Sequence, residues 1–171
     1  IIAISDFIAA HVRENYRVAP ERIEVIHRGI DLDVFAPRAV PHPRILALAE
    51  RWRLPDGVPV IMLPGRLTRW KGQFLFLDAL ATLADVELLG VFVGGDQGRT
   101  YYREALEARI ERLGLASRVR LVGDTKDMAA AFMLADVVVS ASTDPEASPC
   151  ASSRPAKQHP AMSKPVAAEK K

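Results

Sequence analysis

At 171 residues, 49% of them hydrophobic, the chain has enough material for one domain with its own core and little beyond it. The 23 basic and 21 acidic residues are interspersed and leave a net charge of +2, which excludes the basic stripe of a nucleic-acid binder. No apolar run reaches the roughly 18 to 20 residues of a membrane-spanning helix, and Cys150, the single cysteine, has no disulfide partner and no Cys or His nearby at metal-ligand spacing, so a reducing, cytoplasmic setting without a bound metal is expected.

The chain opens on Ile rather than Met and lacks the charged start of a signal peptide; Ile1 to Ile4 reads as the end of a strand, as expected of an internal piece of a longer protein. Ser5 is a good helix N-cap, and Phe7, Ile8, Val12 and Tyr16 recur at helical spacing until Pro20 stops the helix. Ile23 to His27 alternates as a short strand, Arg28-Gly29-Ile30-Asp31 reads as a turn into Phe35-Ala36-Pro37, and a proline-rich loop follows. A helical pattern returns over 45–52 and ends before Pro55-Asp56-Gly57, after which Val58 to Leu63 has the apolar run of a strand buried on both faces. The unit then repeats: helix 71–84, strand 88–93, helix 100–113, strand 118–122, helix 126–134, strand 136–140.

Strict alternation of strand and helix predicts an α/β fold on a parallel sheet with right-handed crossovers. Ligands of such sheets bind beyond the carboxyl ends of the strands, which selects the loops after Leu63, Val93, Val122 and Ser140. After Ala147 the composition changes to Ala, Ser, Pro and Lys with no period, which predicts a disordered tail over 148–171.

The first selected loop is Pro64-Gly65-Arg66-Leu67-Thr68-Arg69-Trp70-Lys71-Gly72, between a buried strand and a helix. Gly65 permits a tight turn, Arg66 and Lys71 carry permanent positive charge, and the next helix offers its N-terminal N–H groups, so a phosphate could seat there; a merely solvated basic loop is the alternative. The second, Val93-Gly94-Gly95-Asp96-Gln97-Gly98, offers Gly94 and Gly95 to a ligand approaching the backbone, or serves only as a tight βα turn. It is not a dinucleotide fingerprint, and the first loop is not a Walker motif because the Gly-Lys-Ser/Thr ending is absent. In the third, Asp144-Pro145-Glu146, a carboxylate could accept hydrogen bonds from sugar hydroxyls, the alternative being a surface acid in a turn. Asp124 and Asp127 are expected to cap the helix that follows them, with Asp124 also a nucleotide-binding candidate. His11, His27, His42 and His159 show no metal spacing, and Trp70 reads as packing before stacking.

Five blocks, in order and spacing, resemble the family-four glycosyltransferases: Ile2-Ala3-Ile4-Ser5; Val25-Ile26-His27-Arg28-Gly29-Ile30-Asp31 with Phe35 and Pro37; Gly65-Arg66-Leu67 with Lys71-Gly72; Val93-Gly94-Gly95; and Ala135-Asp136-Val137 with Ser140 and Pro145-Glu146. The resemblance covers residues 1–147 and implies the incomplete carboxy-terminal half of a GT-B fold, Rossmann-like, with helices on both faces of its sheet. Its implied divisions are 1–37, the end of an amino-terminal domain and a linker; 38–147, a partial nucleotide-sugar-binding domain; and the atypical tail 148–171. It further implies retaining hexosyl transfer from a nucleoside diphosphate sugar, with Arg66 and Lys71 neutralising the diphosphate in place of a metal and Glu146 as the catalytic contact to the sugar. The acceptor would be a glycan or glycolipid of lipopolysaccharide or capsule synthesis, met through an absent amino-terminal domain at the inner face of the membrane, where the full enzyme would associate peripherally.

Two positions depart from the family pattern. Arg28 stands where asparagine usually precedes the glycine, and Arg154 stands where a second glutamate, eight residues after Glu146, would hold the ribose. A one-base change of reading frame would permit the family residues after Ala147, so the tail reads either as a frameshift product or as a natural flexible tail; with the acceptor domain and the ribose-binding glutamate missing from the pattern, an inactive fragment is the expectation. A nucleotide-binding or interaction module without catalysis is the alternative.

Overall fold

The structure, a computed structural model, describes residues 1–143. In chain order its elements are β1 (Ile2–Ala3), α1 (Asp6–Tyr16), β2 (Glu24–Val25), α2 (Leu32–Phe35), α3 (His42–Arg51), β3 (Val60–Pro64), α4 (Gln73–Thr82), β4 (Leu89–Val93), α5 (Thr100–Arg112), β5 (Val119–Leu121), α6 (Met128–Leu134) and β6 (Val137–Val138). The α/β alternation expected from the sequence is present, and every strand pairing is parallel.

Local chemistry sets the helix ends. Ser5 caps α1 by accepting the N–H of Ile8, and Arg17 closes it in a left-handed conformation, three residues before the proline expected to stop it. A short helix not anticipated in the sequence, α2, forms because Asp31 folds back to accept the N–H of Asp33. Within the segment read as a proline-rich loop, Pro37–Ala39 forms a 3-10 turn and α3 already starts at His42. Pro43 stands in the first turn of α3, where a missing N–H costs nothing, so this proline starts a helix rather than preventing one.

β1 and β2 form a small sheet of their own, and α1 lies on it with no residue fully buried. The main sheet has the order β5-β4-β3-β6. The chain steps outward from β3 through β4 to β5, then crosses back to place β6 on the other side of β3. That reversal makes the crevice between β3 and β6 the topological switch point.

Alternation along the strands divides the core into two. Val60 and Met62 of β3 with Val91 and Val93 of β4 face Leu48 and Trp52 at α3 and the alanines Ala129, Ala130 and Ala131 of α6. Leu63 and Phe92 face the opposite way, against Phe76, Leu77 and Leu80 of α4 and Leu106 and Ile110 of α5. Helices therefore cover both faces, as a Rossmann-like sheet requires, and each fully buried Leu or Phe contributes about 1.5 to 3 kcal/mol. β6 is shorter than the strand expected over 136–140, yet its hydrogen bonds run further. Asp136 donates its N–H to the Val60 carbonyl at 2.9 Å and accepts the Val60 N–H on its side chain at 2.8 Å, while the Val139 N–H reaches the Met62 carbonyl at 2.8 Å.

α6 is held at its start by Asp127, which accepts the Ala130 N–H at 3.0 Å and receives two hydrogen bonds, 2.6 and 2.7 Å, from the Arg44 guanidinium of α3. The Arg44 hydrogen bonds are the main reason the Asp127 carboxyl sits below its ordinary value, burial opposing them and the Ala130 N–H assisting. A depressed carboxylate stabilises the fold above its unfolded pKa and loses that contribution as the pH falls through the folded one. Asp127→Ala is expected to cost about 1 kcal/mol at neutral pH through the lost cap. In urea unfolding curves the gap to wild type should close below the ordinary carboxylate range.

Candidate functional site at the sheet switch point

Three loops meet beyond the carboxyl ends of β3, β4 and β6. Gly65 donates its N–H to the Val93 carbonyl at 2.8 Å, and Leu67 donates to the Gly95 carbonyl at 3.0 Å, so the Arg66 loop is laced to the Gly94-Gly95 turn on both sides of the arginine. From the other flank the Thr143 N–H reaches the Trp70 carbonyl at 2.8 Å, which draws the chain leaving β6 onto the same loop. The switch point is thus a floor of backbone carrying Arg66 and Lys71.

Close approach explains two glycines there. Gly94 has φ +152°, and a Cβ on it would lie 2.1 Å from the Gly65 carbonyl oxygen. Gly72 has φ +71°, and its Cβ would lie 1.8 Å from the Ala141 carbonyl oxygen. What approaches the Gly94 backbone is the neighbouring loop, so that glycine has a structural reason whether or not a ligand touches it. Gly95 lies beside it and donates its N–H to the Asp124 carboxylate at 2.9 Å. Here the sequence expectation needs correction: Asp127 alone caps α6, whereas Asp124 reaches across from the loop after β5 to tie down the Gly95 turn.

The cations are arranged unequally. Arg66 is exposed, and its guanidinium reaches the Gln97 side-chain oxygen at 3.4 Å, the same oxygen that Arg99 reaches at 3.2 Å. Gln97 itself is held in a left-handed conformation, φ +52°, within a turn closed by Asp96 accepting the Gly98 N–H. Lys71 is half-buried, folds its methylenes over Gly65 and sets its ammonium 4.4 Å from the centre of the Trp70 ring. Trp70 therefore positions a cation rather than lying bare. A 3-10 turn, Arg69–Lys71, separates the loop from α4, which starts two residues later than the sequence pattern suggests, with no side chain capping it.

Beneath the loop lies a residue that sequence reasoning missed. Gln73 is wholly buried, donates to the Arg66 carbonyl at 2.9 Å and accepts the Tyr102 hydroxyl at 3.0 Å. Burial pushes the Tyr102 phenol up to about 12 against the opposing pull of Arg69, so the hydroxyl keeps its proton at any working pH. Only the polar type of Gln73 on an otherwise apolar helix face signalled it. A cleft of about 550 Å³ opens beside this pair, lined by Arg69, Trp70, Phe74, Arg99 and Tyr101 among others.

Arg66, Lys71, Gly65, Gly94, Gly95 and Asp124 are all brought together at one end of the sheet. Glu146 lies outside the described residues, three positions beyond Thr143. His27 is exposed after β2, in the small separate sheet. Among the described residues no group of three or more His, Cys, Asp or Glu is arranged to hold a metal, and no helix is long and apolar enough to cross a membrane.

The families and proteins to which the chain is similar are glycosyltransferases. The family described as "Glycosyl transferases group 1" matches residues 58–168, and that described as "Glycosyltransferase Family 4" matches residues 1–34. A D-inositol 3-phosphate glycosyltransferase of Xylanimonas cellulosilytica is 35% identical over 128 residues, covering 70% of this chain and 30% of that protein. The crystal structure of a glycosyltransferase from Rickettsia africae superposes with a TM-score of 0.82 at 29% identity, over 85% of this chain and 38% of that one. Anabaena HepE in complex with UDP-glucose superposes with a TM-score of 0.73 at 28% identity, over 85% of this chain and 38% of that one. The chain spans about a third of the length of the curated relatives it matches.

Proposed function

The chain belongs to the group 1 glycosyltransferases, in which its sheet is the Rossmann-like half of a GT-B fold, and on that premise we propose that it is the donor-binding part of a sugar transferase. The observation that carries this reading is the placement of Arg66 and Lys71 on a tightly laced backbone floor at the switch point.

The donor is a nucleoside diphosphate sugar, and HepE, seen with UDP and with UDP-glucose, favours uridine as the base. Transfer breaks the bond between the anomeric carbon and the terminal phosphate oxygen, and negative charge accumulates on the departing diphosphate. Fixed cations at that position stabilise the transition state more than the ground state, which is what accelerates a reaction. Arg66 offers a planar fork suited to phosphate, while Lys71 supplies a point charge held by Trp70 and Gly65. With these two in place the diphosphate is neutralised without a divalent metal, and the sugar is transferred as a hexosyl unit with retention of configuration at a carbon contacted by Glu146.

For the acceptor, the name shared by the curated relatives favours a phosphorylated cyclitol over the lipopolysaccharide, capsule or glycolipid that the resemblance suggested. The acceptor is met through an amino-terminal domain, at the cytoplasmic face of the membrane. Residues 1–37 are the junction with that domain, and 38–147 the donor-binding unit. We infer that these 171 residues do not transfer sugar by themselves, since they span about a third of the length of the relatives.

Calorimetric titration of the chain with UDP-, GDP- and ADP-glucose tests the proposal. UDP-glucose should bind best, with the same affinity in EDTA as in magnesium. Failure of all three to bind, or binding that requires magnesium, would contradict it, and detectable transfer by the chain alone would contradict the claim of inactivity.

A further inference from the structure

Among the described residues, Gln73 is the one buried side chain of polar type, and it stands on a helix face that otherwise carries Phe76, Leu77 and Leu80. An amide taken out of water is costly unless both its ends are bonded, and leucine would fill that place without the penalty. Both ends are in fact bonded, and neither bond can be reversed. The Arg66 carbonyl can only accept, so the amide NH2 faces it, and the amide oxygen is left to accept the Tyr102 hydroxyl. Tyr102 in turn is buried on α5 and packs edge-on against Phe74 of α4. The bond network therefore runs from two helices to the backbone of the exposed arginine. Gly65 and Leu67 are bonded to β4 and the turn after it, so Gln73 supplies the anchor for the residue between them.

We propose that Gln73 is a positioning residue for the donor diphosphate, fixing the peptide from which Arg66 projects, with Tyr102 setting the orientation of the Gln73 amide. The inference rests on Arg66 being a donor ligand. A role confined to the stability of the core would lower the melting temperature of variants without changing the affinity of the molecules that remain folded. A positioning role changes that affinity.

The test uses UDP as probe, titrated calorimetrically into the full chain well below the melting temperature of each variant. Gln73→Leu should bind UDP about tenfold more weakly than wild type, and Tyr102→Phe, which keeps the ring and removes only the hydroxyl, about threefold more weakly. Gln73→Glu adds a signature that packing cannot imitate. Its carboxylate would face the Arg66 carbonyl with no proton to donate, so affinity relative to wild type should be low at high pH and recover as the acid becomes protonated. Should Gln73→Leu fail to fold, Tyr102→Phe and the pH profile of Gln73→Glu still decide. If Arg66→Ala loses UDP while the folded Gln73 and Tyr102 variants bind within twofold of wild type at every pH, the positioning role is overturned and the donor site stands. If Arg66→Ala binds UDP as wild type does, the donor site itself is wrong and this inference falls with it.

Discussion

Gly94→Ala should strongly destabilise the fold, as should Gly72→Ala, whose added carbon meets backbone even more closely. At Gly94 the added carbon would sit 2.1 Å from the Gly65 carbonyl oxygen, and the contact is backbone against backbone, so no side chain can swing aside to relieve it. The residue would also be held at φ +152°, where side chains are strained. Backbone strain of about 1 to 3 kcal/mol and a similar overpacking cost give an expected loss of about 2 to 6 kcal/mol. That is a large share of the 5 to 15 kcal/mol typical of a domain. Two controls separate the causes in urea unfolding. Gly98→Ala has the positive φ, +79°, with nothing within 4 Å, and should show the strain alone; Gly29→Ala has neither and should lie close to wild type. A Gly94→Ala protein as stable as Gly98→Ala would show that the loops are not packed this closely.

Arg66→Ala should have the largest effect on binding. A guanidinium bonded to a phosphate contributes about 1.5 to 3 kcal/mol, which is roughly a ten- to hundredfold loss of affinity for UDP. Because Arg66 is exposed and contributes to the fold mainly through its carbonyl, which alanine also has, the variant should melt near wild type. Lys71→Met offers a sharper comparison. It keeps the methylene contact over Gly65 while removing the charge 4.4 Å from Trp70, so it isolates electrostatics from packing. Similar losses in the two variants, isothermal calorimetry being the readout, would mark both as diphosphate ligands; a loss in neither would return the loop to an ordinary basic surface.

Much of this arrangement was legible in the residues themselves. The apolar runs at 58–63 and 88–93 could be buried strands only in a sheet covered on both faces, and β3 and β4 carry the two cores on alternate residues. Glycines beside strand ends and the basic residues between them marked the loops that meet at the switch point. What was not legible depends on distance in space. Asp124 has the sequence position of a helix cap, yet its carboxylate finds an unpaired N–H on Gly95, 29 residues earlier, that local reading cannot supply. Gln73 lies in a helical pattern where glutamine usually faces water; only the convergence of the Arg66 carbonyl and the Tyr102 hydroxyl makes the interior tolerable for it. Pro37, Pro41 and Pro43 suggested a loop because prolines break helices, but at a first turn they start one, and α3 begins among them. The order β5-β4-β3-β6, which creates the crevice, is a pairing choice that periodicity does not encode.

On the proposed function, a nucleoside diphosphate seats on the Arg66–Lys71 loop. A titration of the isotope-labelled chain with UDP-glucose, followed by amide chemical shifts, tests it most directly. The largest shifts should fall on 65–72 and 94–98, while the opposite end of the sheet, at 55–59 and 84–88, stays still. Shifts concentrated at that opposite end, or none at a concentration where calorimetry reports binding, would contradict it.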